Sequence, residues 1–576
     1  MGPILALGSL LSVLTLLDVV DVEYYPMIHR VTVDRVFDLG LNPSPILLFL
    51  SFLVVVLLLL EWRPLGVLLP ITASLGLYPL LGLRVSSSLL TLLLTAFTLV
   101  RFRCVQDFCL WLLTLMAGLE GLALIHWLLL PLGLCSPLKS IAELEMSLFY
   151  VAAHAAPILA LMVLFMWIIR PLLNHLGIPR LLSRCMASAS DSDEGGISLN
   201  PHLILALAVG LSILAAIYPY SPGINPTFKP VGVDVRWYVP WMEGVYRDPP
   251  SALRVAGGSR PLLLLLIYTY GHLLGLGPRE AVIYAPILLN PLLILSAYFM
   301  VYRASGDRDW ASLSALFTAT GVKMAVGLYS YFLANMLGLA LIYASLGLLL
   351  ASMREGDLGS LVFASILASL ALFTHPWTLT QYCAAVAILA VYISLRDRSP
   401  ERCYNILIYL LVVGLVDVLK MALLGGVEVY GAVSSTSIKL LGLMGFWRNS
   451  IFTFRILYGG LLSNIMMLCF GILGAYKLDD ARPYQSLLTC LLAASSIYYR
   501  ITSNMIPSRI LYNIPLEVLT SLSILSIIKN NGVRREVGWS LILFMMVYSV
   551  VYILRSTANL ISSTIFVSDG GDFIGD

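Results

Sequence analysis

The chain has 576 residues, 59% of them hydrophobic and 12% charged, with a mean hydropathy of +0.91. No soluble domain has interior enough for that much apolar surface, so lipid must be the solvent for most of it. A net charge of +3 leaves no basic excess for nucleic acid, and the eight cysteines form no CxxC pair, which argues against a zinc site or a disulfide framework.

A helix needs about 20 mostly apolar residues to cross the hydrocarbon core. The first candidate, "GPILALGSLLSVLTLLDVV", has no basic n-region and no small-residue cleavage site, so it is expected to be a retained span. Further candidates at 45–60, 65–83, 86–100, 108–131 and 146–169 complete a six-span front module over residues 1–184. Glu120, His126 and His154 lie within its last two spans. Such groups pair off or line a cavity, so a polar clamp or a proton path is expected there.

The polar, acidic stretch "CMASASDSDEGGISLN" (185–200) reads as a cytoplasmic linker. It ends in Asn200-Pro201, an N-cap followed by proline at the first helical position, so a new helix should start there. The second module, 201–560, carries candidates at 203–219, 281–302, 309–327, 334–352, 358–374, 376–395, 404–424, 452–475, 484–500, 510–528 and 537–555, followed by a tail at 561–576. Asp417 and Lys420, three apart in one of these spans, are spaced to pair with each other. The fold class expected is thus an all-α polytopic membrane protein with about 17 transmembrane helices.

The connectors "EWRPLG", "RFRCVQD", "RPLLNHLGIPRLLSR", "MREGD", "RDRSPER", "YKLDDARP" and "KNNGVRRE" fall on one side if the N-terminus starts there. By the orientation rule that side is the cytoplasm of a multi-pass cell-membrane protein, with the C-terminus external. The alternation holds only if "RPLLLLLIYTYGHLLGLG" (260–277) does not cross. It is expected to lie at the membrane surface within one long external loop over residues 220–280.

That loop opens with "KPVGVDVRWYVPWMEGVYRDPP", where Asp234 and Arg236 sit among Trp237, Tyr238 and Trp241 at the depth of lipid headgroups. Other external elements add Arg260, Lys323, Asn335, His375 (in "FTHPWT"), Arg448, Arg455 and Arg509 (in "SNMIPSRILYNIPLE"). Outer loops are not normally enriched in cations, and a phosphate-bearing partner would account for the excess. No Walker A, Rossmann, HExxH or GxSxG motif accompanies them.

From residue 203 onward the pattern resembles the GT-C superfamily of membrane glycosyltransferases, which includes protein mannosyltransferases and aminoarabinose transferases. A span is followed by a long external loop carrying Asp234. Then come "SRPLLLLLIYTYGHLLGLG", similar to the family's basic-Pro-Pro-Leu interfacial helix, the turn "YRASGDRD", and the external turn "YSYFLANM", where these enzymes often carry a second acid. Asp234 is followed by Val235 and Arg236 rather than a second acid, the second acidic position is Asn335, and the proline after Arg260 is single. The resemblance implies a donor sugar on a polyprenyl or dolichyl phosphate and a protein, lipid or glycan acceptor. It implies an inverting displacement with Asp234 as general base, and Arg236, Arg260, Lys323, Asn335, His375 and Arg509 around the donor phosphate. Because few carboxylates are present, no metal cofactor is expected. A transporter or lipid flippase without covalent chemistry, and an inactive scaffold of the same fold, remain alternatives.

Overall fold

The computed structural model describes residues 2–17, 22–24, 31–33, 89–96, 105–134, 155–177, 200–258, 260–397, 400–424, 464–501, 505–529 and 535–562, with short pieces between 138 and 149 and between 442 and 454. The candidate spans at 45–60 and 65–83 lie outside the described residues, as do His154, residues 185–199 of the linker, Arg448, Arg455 and the tail beyond 562.

The described chain is helical apart from a small antiparallel ribbon of β1 (Val22–Tyr24) and β2 (Val31–Val33). In order, the helices are α1 (Gly2–Leu17), α2 (Val105–Leu129), α3 (Ala156–Leu164), α4 (Met166–His175), α5 (Pro201–Ile217), α6 (Val235–Arg247), α7 (Pro261–Leu274), α8 (Pro278–Ser305), α9 (Arg308–Thr320) and α10 (Val322–Ser330). They continue with α11 (Leu333–Glu355), α12 (Leu358–Ala371), α13 (Pro376–Asp397), α14 (Pro400–Leu424), α15 (Ile465–Tyr476), α16 (Pro483–Ile501), α17 (Met505–Asn513), α18 (Leu516–Ile528) and α19 (Arg535–Ser562). Among the described residues, eight helical stretches are long and apolar enough to cross a membrane, including α9 and α10 taken together. This is an all-α, multi-pass membrane architecture. The expected span at 146–169 is broken in its described part, because α3 and α4 meet at an 84° bend. The expected span at 510–528 is divided at Pro515, between α17 and α18.

Helix starts follow the local chemistry. Asn200 caps α5, its side-chain oxygen accepting from the backbone N–H of His202 at 3.1 Å and of Leu203 at 3.4 Å. Asp307 caps α9 and Asp357 caps α12 in the same way. The α9–α10 stretch is buried on every side and carries small hydroxyls inward, with the Ser314 and Ser521 hydroxyls 2.7 Å apart across to α18. Such residues let helices approach closely where apolar burial gives no preference over lipid. Gly474 on α15 shows the limit, since a Cβ there would fall 1.8 Å from the Leu519 carbonyl oxygen of α18.

Residues 220–280 build a satellite core on one end of the helices. In α6, Val235, Tyr238, Met242 and Val245 recur every three or four positions and pack on Leu263, Leu264 and Ile267 of α7 and on the starts of α8 and α11. Helix α7 has 14 residues, or about 21 Å at 1.5 Å per residue, too short for a hydrocarbon core of about 30 Å. At the other end of α8 and α11 the basic connectors gather. Arg303 pairs with Glu355 at 3.5 Å and Lys529 with Asp307 at 3.3 Å, while Asp480 takes Arg170 by its carboxylate and Arg396 by its backbone carbonyl.

Candidate functional site at the satellite core

The site forms where α6, α7, the α10–α11 junction, the turn before α13, and α17 converge. The backbone N–H of Asp234, just ahead of α6, donates to the Ser330 carbonyl at 3.3 Å, which fixes the acid beside the end of α10. Its carboxylate lies 3.8 Å from the Arg509 guanidinium of α17, with both side chains partly exposed. That separation makes an ion pair without a hydrogen bond. Arg509 stacks over the Phe332 ring, 3.2 Å from its centroid, so its plane is set by an aromatic face. Arg260 immediately precedes α7 and is buried. It donates to the Tyr238 hydroxyl at 2.7 Å, and the same oxygen accepts from the Ala334 backbone N–H at 3.4 Å. The Leu262 N–H donates to the Phe373 carbonyl at 3.1 Å and so ties α7 to the turn that carries His375.

Burial pushes the Asp234 carboxyl above its ordinary range, and Arg509, then Arg260 and Arg236, pull it back down. Burial, reinforced by Arg509 and Arg260, holds the His375 imidazole well below its ordinary value. His375 Nδ1 accepts from the Thr378 backbone N–H at 3.3 Å, so in the neutral ring the proton sits on Nε2. The result is one carboxylate within electrostatic reach of three guanidinium groups, two of which, Arg509 and Arg260, also act on a neutral histidine.

Behind this layer a polar network locks α17 onto α13. Gln381 donates to the Ile510 carbonyl at 3.0 Å and to the Ser495 hydroxyl at 2.8 Å, and it accepts from Asn513 at 2.9 Å. Asn335 donates to the Asn513 side chain at 2.7 Å, and the Tyr382 hydroxyl donates to the Asn513 carbonyl at 2.6 Å. Asn335 is therefore buried in the support of the site rather than at its surface.

Lys323 does not join the cluster. It is buried in α10 and pairs with Glu517 at 3.2 Å, while also donating to the Ile514 carbonyl. Asp234, Arg236, Arg260, His375 and Arg509 are thus brought together, Asn335 backs them, and Lys323 is committed elsewhere. Sequence reasoning missed Tyr238 and Phe332 as the groups that orient Arg260 and Arg509, and it missed Thr378, Gln381 and Asn513. A signal for part of this existed: His375, Thr378 and Gln381 recur every three residues in an otherwise apolar run, which marks one polar helix face.

The α10–α11 junction is strained. Tyr331 adopts φ 58°, a left-handed conformation that costs a bulky residue roughly 1–3 kcal/mol. Its hydroxyl donates to the Val282 carbonyl at 2.5 Å, and Gly232 leaves room for its ring, since a Cβ there would lie 2.7 Å from it. Tyr331 also walls a narrow apolar crevice lined by Ala216, Tyr220, Val231, Pro286 and Leu328. On its other side it packs edge-on to Tyr238 at 6.2 Å, so one strained residue separates an apolar slot from the ring that holds Arg260.

Among the described residues no three His, Cys, Asp or Glu side chains gather closely enough to hold a metal ion. No protein-family model matches the chain, and no curated protein matches it either.

Proposed function

We propose that the protein is a membrane glycosyltransferase of the GT-C type, which moves a sugar from a polyprenyl or dolichyl phosphate to an acceptor hydroxyl. The observation that carries this reading is the pairing of Asp234 with Arg509, beside Arg260. The cations suit the phosphate, and the carboxylate suits the acceptor. In the reaction the bond from the anomeric carbon to the phosphate oxygen breaks, and the phosphate leaves with the electron pair. The acceptor oxygen bonds to that carbon from the opposite face, and its proton passes to Asp234. Arg509 and Arg260 stabilise the leaving phosphate, and a guanidinium can do so through two parallel hydrogen bonds. The basic connectors would face the cytoplasm and the site the outer leaflet of the cell membrane, with the C-terminus external.

The test is transfer of label from a radiolabelled polyprenyl-phosphate hexose in vesicles reconstituted with the full chain. Asp234→Asn should lower the rate by about 10²–10⁴-fold while leaving donor binding in place. Arg509→Ala should weaken donor binding, and Arg509→Lys should do so less. Full transfer by Asp234→Asn would remove the acid from the chemistry. Donor binding without transfer by the unaltered chain would favour the inactive scaffold.

A further inference from the structure

A second buried charge cluster lies away from this site, between the front of the chain and its last helix. Glu120 of α2, Glu145 and Arg555 of α19 are all 1% exposed or less. Arg555 pairs with one oxygen of Glu145, and Glu120 neighbours that pair where α2 packs on α19. Yet among the described residues nothing donates to either oxygen of Glu120 or to the second oxygen of Glu145. Two ionised carboxylates can only accept, so two of them side by side leave acceptor facing acceptor. Burying such a set costs several kcal/mol unless the charges balance and the oxygens are satisfied.

One proton resolves both faults. With Glu120 protonated, its hydroxyl donates to the free oxygen of Glu145. The set Glu120–H, Glu145⁻ and Arg555⁺ is then neutral. The same count with both acids ionised leaves one net negative charge on these three buried side chains. Among the described residues, Tyr548 and Tyr552 of α19 are the other titratable groups beside the cluster. The described residues 2–13 of α1, which packs on α2, bring none, and His126 sits farther along α2, near Lys139.

We propose that Glu120 and Glu145 form a proton-binding site in which a single retained proton joins α2 to the Glu145–Arg555 pair and so fastens the front segment to α19. The two acids are then unequal. An amide at position 120 donates as the acid hydroxyl does, whereas an amide at 145 leaves Arg555 without its counter-ion.

The experiment uses the full chain in detergent micelles. Infrared spectra at neutral pH should contain a protonated-carboxyl band that shifts in D₂O and is lost in Glu120→Gln. Thermal unfolding of the unaltered chain should become easier as pH rises above the carboxyl range, the unfolding constant growing up to tenfold per pH unit, because the folded state holds a proton the unfolded state releases. That slope should flatten in Glu120→Gln, which should stay close to the unaltered chain in stability at neutral pH, while Glu145→Gln should unfold far more readily. A band unchanged in Glu120→Gln, or Glu120→Gln more damaging than Glu145→Gln, overturns the proposal.

Discussion

Replacing Lys323 separates two roles that a lysine near an external turn can have. Its side chain and that of Glu517 are 3% and 2% exposed and 3.2 Å apart, and one Glu517 oxygen has no other partner. Lys323→Met would strand the Glu517 charge in the helix interior, and breaking a buried pair from one side costs about 3–5 kcal/mol. Removing both charges avoids that penalty, and apolar or neutral replacement of a buried pair is often neutral or stabilising by about 1–4 kcal/mol. The double variant Lys323→Met with Glu517→Gln should therefore recover most of the stability lost in Lys323→Met. Thermal unfolding of the four proteins in one detergent gives the coupling directly, and donor-binding measurements on the double variant should match the unaltered chain. A double variant that is stable but cannot bind a lipid phosphate would return Lys323 to the binding site and refute this account.

Other outcomes follow from the same geometry. Because burial raises the Asp234 carboxyl and Arg509 opposes that rise, the acid limb of the transfer rate should lie above the usual carboxylate range, and Arg509→Gln should move the limb of the residual rate higher still; a limb unmoved or lowered would contradict the assignment. Gly474→Ala should push α15 from α18 and destabilise the chain by about 1–3 kcal/mol, read by thermal unfolding. Cysteines placed singly at Arg247 and Leu274, on either side of α7, should label from the same face of a sealed vesicle, and one at Arg308 from the opposite face; opposite labelling at the first two would mean that α7 crosses after all.

What the sequence made legible was local. The start of α5 at Asn200-Pro201 follows from a side-chain oxygen and a proline ring acting within three residues, and it is found where the pattern puts it. The grouping of those basic connectors that the structure describes at one end of the helices was legible too, since each declares its own charge. What failed to show was pairing at long range. Asp417 and Lys420 are spaced to pair on one helix, but Lys420 reaches instead to the Leu372 carbonyl at 2.5 Å. That carbonyl lies at the end of α12, where the helix leaves its last acceptors without internal donors. Lys323 likewise meets Glu517, 194 residues on, and no local pattern announces it. Glu120 is legible as a buried acid, but its neighbours Glu145 and Arg555 come from other segments that no local pattern joins to it, and His154 lies outside the described residues.

The same distinction bears on why Asp234, rather than another acid of the loop, is the residue to watch. Glu243 is exposed on α6, and Asp248 is held by Arg254 in an exposed pair at 3.3 Å, worth about 0–1 kcal/mol and indifferent to any ligand. Asp234 alone among the loop's acids is held near three guanidinium groups. Its nearest contact with them, at 3.8 Å, is too long for a hydrogen bond. One carboxylate against three cations leaves the cluster with positive charge that an anion would balance. A phosphate gripping Arg509 through two short bonds would displace the looser carboxylate contact and leave Asp234 without its strongest counter-ion. Burial would then raise its affinity for a proton at the moment an acceptor hydroxyl arrives. Donor binding and base activation would in this way be a single electrostatic event, and it requires Arg509 to be shared between the acid and the phosphate rather than fixed to either.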